Sequence, residues 1–138
     1  MTDLYGAMTI SAHGMKAQSQ RVRVIAENMA NADTAANTPG QDPYRRQIIT
    51  FKNEMNRAQG MDLVEVDDIK EDMKRDFTLK YMPEHPGADE KGYVKMPNVD
   101  SIIETMDMRE AQRSYEANLG MIDQSRNMIM QTIDLLRR

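Results

Sequence analysis

The chain has 138 residues, no cysteine and no tryptophan, and its net charge of −4 is spread over all its segments. These features exclude disulfides and thiolate metal sites, and they favour neither nucleic acid nor an anionic membrane surface as a partner. The 14 methionines supply much of the apolar surface. Because methionine is flexible, it suits helix packing and adaptable interfaces better than a rigid catalytic core.

The first predicted element is a helix from Thr2 to about Ala32. Along it, methionine or valine recurs every seven residues, at Met8, Met15, Val22 and Met29. This period keeps one apolar stripe against a partner helix when the helix supercoils slightly. Gly14 lowers the helix propensity by up to ~1 kcal/mol, so we expect this helix to depend on packing. Residues 33–43, rich in turn formers, are predicted to be an exposed loop.

The middle of the chain, residues 39–98, is predicted to be a small β-rich insert. Strand formers indicate extended segments at Pro43–Phe51, Met61–Val66, Phe77–Tyr81 and Tyr93–Met96. The third of these alternates apolar with polar residues, which is the period of a half-buried strand. The charged segment 67–76 is predicted to be a solvated loop in preference to a short helix, and the turn-rich segment 83–92 should return the chain into the last strand.

The longest predicted element is a helix over residues 99–138, which contain no proline and only one glycine. Asn98, Asp100 and Ser101 are candidate caps, and Ser101 with Glu104 has the spacing of a capping box. An apolar row again has a period of seven residues, at Met108, Tyr115, Ile122, Ile129 and Leu136. Small and amide residues form a row beside it, at Ala111, Asn118, Ser125 and Thr132. Such residues allow close approach of several neighbours, which a simple two-stranded zipper does not need.

The predicted fold is therefore mainly α. The terminal segments are 1–38, a helix and the turn after it, and 99–138, a long helix. The two helices should pack as an antiparallel coiled pair, because the insert begins and ends where they adjoin. Each helix has a single apolar row, so part of its surface stays available for contacts with neighbouring copies. Head-to-tail contacts that do not close into a ring generate a helical filament. The nine residues of the two apolar rows are the predicted subunit-packing seam.

Residues that could carry catalysis are scattered. His13 and His85 are the only histidines, and neither has a partner at a metal-ligand spacing. No phosphate-binding loop, dinucleotide fingerprint or nucleophile elbow is present. Arg45 and Arg46 form a compact basic pair, which is predicted to contact protein rather than nucleic acid. No catalytic residue, cofactor or metal is predicted.

Four short motifs occur along the chain. They comprise Asn28, Asn31 and Thr34; then Pro43, Tyr44 and Arg45; then Gly92, Tyr93, Pro97 and Asn98; and finally Ser114, Tyr115 and Asn118. Their order and spacing resemble those of bacterial flagellar axial proteins, and in particular the rod proteins of the basal body. The resemblance covers nearly the whole chain.

The resemblance implies a structural subunit of the flagellar rod, the hollow drive shaft of the motor. It implies terminal helices in the inner layer, an outward-facing insert, and export by the flagellar type III apparatus without a cleaved signal. The absence of a basic and apolar leader, and of any stretch of membrane-spanning length, agrees with this. The implied partners are other copies, neighbouring rod proteins and the export apparatus, with the surrounding rings or the cell wall as contacts of the insert.

The alternative is a soluble helical adaptor or export chaperone that binds a partner helix on its methionine-rich face. Such a protein would need neither a β-rich insert nor two helices so close to the chain ends. An enzyme is the third hypothesis and the least favoured one, because the sequence contains no grouping of polar residues that is typical of a catalytic site.

Overall fold

The computed structural model describes residues 2–56 and 60–137. In chain order the elements are helix α1 (Thr2–Ala30), strands β1 (Gln47–Asn56), β2 (Met61–Glu71), β3 (Thr78–Tyr81) and β4 (Tyr93–Met96), and helix α2 (Ser101–Leu136). Two long helices thus flank a small β insert, as the sequence predicts. Met1 and Arg138, which end the predicted terminal segments, lie outside the described residues. In the part that is described, neither helix is long and apolar enough to cross a bilayer.

The helix ends are set by local side chains. At the end of α1 the Asn31 amide donates to the carbonyl of Glu27 (2.8 Å). At the start of α2, Asp100 Oδ1 accepts hydrogen bonds from the backbone N–H groups of Ile102 (2.9 Å) and Ile103 (3.4 Å). Asp100 is therefore the cap among the three candidates. The predicted capping box is wrong, because the Glu104 side chain is fully buried and bonds elsewhere.

Strands β1 and β2 pair in a two-stranded sheet. The Asp72 N–H donates to the Arg46 carbonyl (2.7 Å), and Thr50 Oγ1 donates to the Asp68 carbonyl (3.2 Å), so the strands run antiparallel. Because β2 continues to Glu71, the loop predicted for residues 67–76 is wrong in its first half. The charged residues fit a strand here because the last five residues of β2 are exposed, and their side chains keep their hydration.

Strands β3 and β4 form a second antiparallel sheet, with Thr78 opposite Met96 and Tyr81 opposite Tyr93. Both strands agree with the sequence prediction, but the predicted half-burial of β3 is wrong, since all four of its residues are exposed. The alternation of apolar and polar residues identifies an apolar face of the strand, but it does not show whether another element packs on that face. The turn before β4 requires Gly92, whose φ is +82° and whose added Cβ would lie 2.9 Å from the Tyr81 ring.

The chain divides into two compact units. The first is drawn from Met1–Val22, Thr50–Asp68 and Arg109–Arg138, and the second from Arg23–Ile49 and Ile69–Met108. Buried side chains in the first unit include Ser11, Ala17, Leu63, Ala111 and Ser125. Those in the second include Val24, Ile25, Asn28, Val94 and Glu104. Small and polar residues are thus prominent in both cores.

Candidate functional site

In the first unit the two helices contain a set of small and amide residues that we call the small-residue stripe: Ser11, Gly14, Ala111, Asn118 and Ser125. Ser11, Ala111 and Ser125 are buried. A Cβ added to Gly14 would lie 2.9 Å from Asn118 Nδ2 and 3.1 Å from its Oδ1. The two helices therefore lie close together at this position, where Gly14 provides space for the Asn118 side chain.

The predicted apolar seam lies beside this stripe. Seven of its nine residues are half-buried: Met8, Met15, Val22, Met108, Tyr115, Ile122 and Ile129. The other two, Met29 and Leu136, are exposed. The apolar rows are therefore only partly covered within one chain. Their role in subunit packing stays a prediction.

In the second unit the end of α1 is joined to the start of β1 by the Asn28 amide, which is only 1% exposed. Asn28 Nδ2 donates to the Gln47 carbonyl (2.9 Å) and to Glu104 Oε2 (3.1 Å). Asn28 Oδ1 accepts from the Gln47 N–H (2.8 Å) and the Tyr44 hydroxyl (2.9 Å). All four hydrogen-bonding positions of this amide are filled, as a buried polar group requires.

Arg46 is the cation of the same cluster. Its Nε donates to Glu104 Oε1 at 2.5 Å, and its terminal nitrogens lie 3.6 Å from Asp72 and 3.5 Å from Asp107. The Arg46 side chain is 14% exposed and that of Glu104 is 0% exposed, so the carboxylate depends on this guanidinium for its charge partner. The protein contact predicted for this basic pair is, for Arg46, a contact with carboxylates of its own chain.

Asn98 completes the cluster, which we call the polar junction: Asn28, Tyr44, Arg46, Asp72, Asn98 and Glu104. Asn98 Oδ1 accepts from the Arg46 N–H (2.7 Å), and its amide donates to the carbonyls of Asp72 and Arg75, at 3.0 Å each. Arg45 donates to the Asp72 carbonyl (3.1 Å) and lies 4.2 Å from the centre of the Phe77 ring. The junction thus ties the start of β1 and the segment after β2 to both helices.

The Tyr44 hydroxyl is neutral at physiological pH. Burial raises the pKa of Tyr44 above 10.0, and the nearby carboxylates of Glu27, Glu104 and Glu71 raise it further. A neutral phenol remains a hydrogen-bond donor, so the bond from Tyr44 to Asn28 does not depend on the ionisation of this group at physiological pH.

The described residues contain no group of three or more side chains suited to hold a metal ion. His13 Nδ1 lies 3.9 Å from Glu65, and His85 Nδ1 accepts a hydrogen bond from the Gly87 N–H (3.0 Å) within a turn.

The chain is similar to flagellar rod proteins along nearly its whole length. Residues 8–35 match the family described as flagella basal body rod protein, and residues 90–135 match the flagellar basal body rod FlgEFG protein C-terminal family. The flagellar basal-body rod protein FlgC of Agrobacterium fabrum is 47% identical over 99% of this chain and 98% of its own length. The FlgC proteins of Escherichia coli O6:H1 and Borreliella burgdorferi are 40% and 34% identical, over 96% and 97% of this chain and 97% and 98% of their own lengths. The chain belongs to the FlgC family. It is a structural subunit of the flagellar basal-body rod, and its family consists of rod proteins rather than enzymes.

The motif residues that suggested this family occupy different parts of the structure. Asn28, Tyr44 and Asn98 belong to the polar junction, and Arg45 and the buried Pro97 lie beside it in sequence. Asn31 and Thr34 close the end of α1, while Gly92 and Tyr93 form the turn into β4. Asn118 donates to the Ser114 carbonyl (3.0 Å) on α2, where Tyr115 is half-buried, and Pro43 precedes the junction tyrosine.

Sequence reasoning missed the charged half of the junction in this FlgC-family chain. The local sequence predicts a capping role for Glu104, a protein contact for Arg46, and a solvated loop in preference to a short helix for Asp72. Each assignment fits its local sequence, and the Arg46–Glu104 contact spans 58 positions. Nothing in the pattern of one sequence marks two such residues as partners.

Proposed function

We propose that the chain polymerises through its terminal helices, with other copies and neighbouring rod proteins, into a hollow shaft that transmits motor torque. The terminal segments 1–38 and 99–138 form the inner layer, and the β-rich segment 39–98 faces outward. The two family matches, at residues 8–35 and 90–135, lie largely on the helices and support this division.

Within one subunit, α1 and α2 form an antiparallel coiled pair. Three contacts support this arrangement. Gly14 lies against Asn118, Arg21 pairs with Glu110 at 3.6 Å, and Asn28 bonds to Glu104. At each step the residue number rises by seven on α1, while it falls by six to eight on α2. Contacts that advance by about seven residues on one helix and go back by about seven on the other are typical of an antiparallel pair with a coiled-coil period.

The observation that carries polymerisation is the apolar surface which the pair leaves in water. The second half of α2 exposes Leu119, Met121, Met128, Met130, Ile133, Leu135 and Leu136. Exposed apolar patches of this kind mark interaction sites, and leucine or methionine rows along a helix suit other helices. One helix with apolar rows on several sides requires several neighbours.

The subunit reaches the rod through the flagellar type III export apparatus, crossing to the periplasm with its N-terminus intact. The outward-facing insert then contacts the surrounding rings or the cell wall. Mass spectrometry of protein recovered from basal bodies tests the route, because a mature chain that begins well beyond Thr2 contradicts it.

Replacing Ile122 with aspartate tests polymerisation. Ile122 is half-buried on the predicted seam, and a carboxylate buried there without a partner opposes packing in every copy. We expect Ile122→Asp to be exported normally and to be absent from basal bodies. Gln124→Asp, at an exposed position nearby, adds the same charge and should be incorporated. Incorporation of Ile122→Asp at the level of Gln124→Asp contradicts the proposal.

A further inference from the structure

The segment between β3 and β4, residues 82–92, is hydrogen-bonded within the hairpin, and we call it the hairpin turn. The Met82 N–H donates to the Gly92 carbonyl (2.9 Å). Asp89 Oδ1 accepts from the Tyr93 N–H (2.8 Å). Because these bonds close the turn on its own strands, the hairpin holds it in a defined shape.

The loop after α1, residues 33–43, is held in a different way. Most of its residues are exposed. Within it the Ala35 N–H donates to the Asp33 carbonyl (3.0 Å), and the Gln41 N–H donates to the Thr38 carbonyl (3.2 Å). Both bonds are local, so they do not fasten the loop to the rest of the fold. We expect such a loop to be mobile unless another segment holds it.

The hairpin turn holds this loop at its one buried residue, Ala36, which is 8% exposed. A Cβ added to Gly87 of the turn would collide with the Ala36 carbonyl oxygen and lie 3.0 Å from its carbonyl carbon. The φ of Gly87 is not positive, unlike that of Gly92, so the backbone conformation does not require glycine there. The close approach of Ala36 does require it.

A second attachment lies near the end of the loop. Lys95 Nζ on β4 donates to Asp42 Oδ1 at 3.1 Å. Pro39 and Pro43 stand on either side of this part of the loop. Prolines limit the conformations that an open loop can adopt, so they lower the entropy cost of closing it.

We propose that residues 33–43 form a strap that closes on the hairpin turn, with Gly87 as the residue that permits closure and the Asp42–Lys95 pair as the second attachment. Closure positions Tyr44, which follows the strap directly and donates to the buried Asn28 amide. The strap therefore couples the β3–β4 hairpin to the polar junction. A closed strap needs no neighbouring copy, so the proposal does not depend on polymerisation.

Amide exchange on the purified full chain, followed by NMR at single residues, tests the strap, because exchange rates report local opening. The variant is Gly87→Ala, and Glu90→Ala, at an exposed position of the same turn, is the matched control. We expect Gly87→Ala to speed exchange at Ala35 and Gln41 by about tenfold or more, because an overpacked contact favours the open state. The control should leave these rates unchanged, and the Met82 N–H should keep its rate in both variants.

Charge reversal tests the second attachment without adding an atom at Gly87. The Lys95 and Asp42 side chains are 46% and 61% exposed, so their replacement leaves the fold intact. We expect Asp42→Lys to speed exchange at Gln41 by about two- to fivefold, the size of effect that one exposed ion pair has. Combining Asp42→Lys with Lys95→Asp restores opposite charges and should restore the wild-type rate.

Exchange in the strap that is unchanged by Gly87→Ala overturns the proposal. So does an increase by one common factor at every protected amide of the chain, because this indicates lost global stability and not release of the strap. If Gly87→Ala does not fold, the charge variants decide. No change with Asp42→Lys, or no restoration in the double variant, then overturns the strap. Incorporation of Ile122→Asp into basal bodies tests polymerisation separately.

Discussion

The polar junction makes a quantitative prediction for Arg46→Met, which keeps most of the apolar stem and removes the charge. In the wild-type chain the guanidinium pairs with the fully buried Glu104 carboxylate and also lies near Asp72, whose side chain is only 5% exposed. Removing one partner of a buried pair leaves an uncompensated charge and costs about 3–5 kcal/mol. The free energy of unfolding of native proteins is about 5–15 kcal/mol, so this one change removes a large part of the stability.

The reverse change should cost less. Glu104→Gln keeps a side-chain oxygen that can accept from Arg46 or from Asn28, and leaves Arg46 with Asp72 and Asp107 within 3.6 Å. We expect a loss of about 1–3 kcal/mol, that of an impaired buried hydrogen bond. The double variant should cost less than the sum of the two single changes, since neither charge is then left alone.

Equilibrium unfolding in urea measures these differences, and Arg23→Met is the matched control. Arg23 pairs with Glu27 at 3.0 Å on the surface of α1, where such a pair is worth only about 0.3–0.5 kcal/mol. A loss below about 1 kcal/mol for Arg46→Met, similar to that of the control, refutes the view that the junction holds the insert to the helices.

Three further predictions concern single positions. Gly120→Ala should stabilise the chain by about 0.5–1 kcal/mol through helix propensity, since no atom lies within 4 Å of the added Cβ. Gly14→Ala should give no gain in stability, because its Cβ would lie 2.9 Å from the Asn118 amide. Equal gains for the two variants in thermal unfolding would contradict the close helix contact. Asp100→Ala should cost about 1 kcal/mol as a lost cap and Ser101→Ala much less, and the opposite order in urea would restore the capping box. Tyr44→Phe should lose about 0.5–1.5 kcal/mol below pH 9. Because the folded-state pKa of Tyr44 lies above its unfolded value of 10.0, the wild-type chain should lose stability as the pH rises through 10 and beyond, and a pH titration in which the phenylalanine variant loses as much would contradict this origin.

The elements of the fold were predictable where periodicity was strong. The seven-residue rows of both helices predicted their extent to within a few residues, and the β-branched and aromatic segments predicted all four strands. Residues 67–71 were missed because charge was taken as evidence for a loop. In a two-stranded ribbon, however, charged side chains stay in water and impose no cost on the strand.

The candidate site was predictable only in part. Ala111, Asn118 and Ser125 are recognisable as small or amide residues at helical spacing. In the structure Ala111 and Ser125 are buried, and Asn118 lies against Gly14 of α1. Glu104 was not recognisable, because a glutamate in a first helical turn has a sufficient local explanation. Its partners Asn28 and Arg46 are 76 and 58 positions away, and only the folded chain brings them together.

The central claim is that the terminal helices build the rod and the insert faces outward. Electron cryo-microscopy of an intact basal body tests it most directly, because side-chain density can be traced through this subunit. We expect α1 and α2 to lie antiparallel in the inner layer of the rod and residues 39–98 to lie outside it. Density that places the insert against the lumen, with the helices on the outer surface, would contradict it.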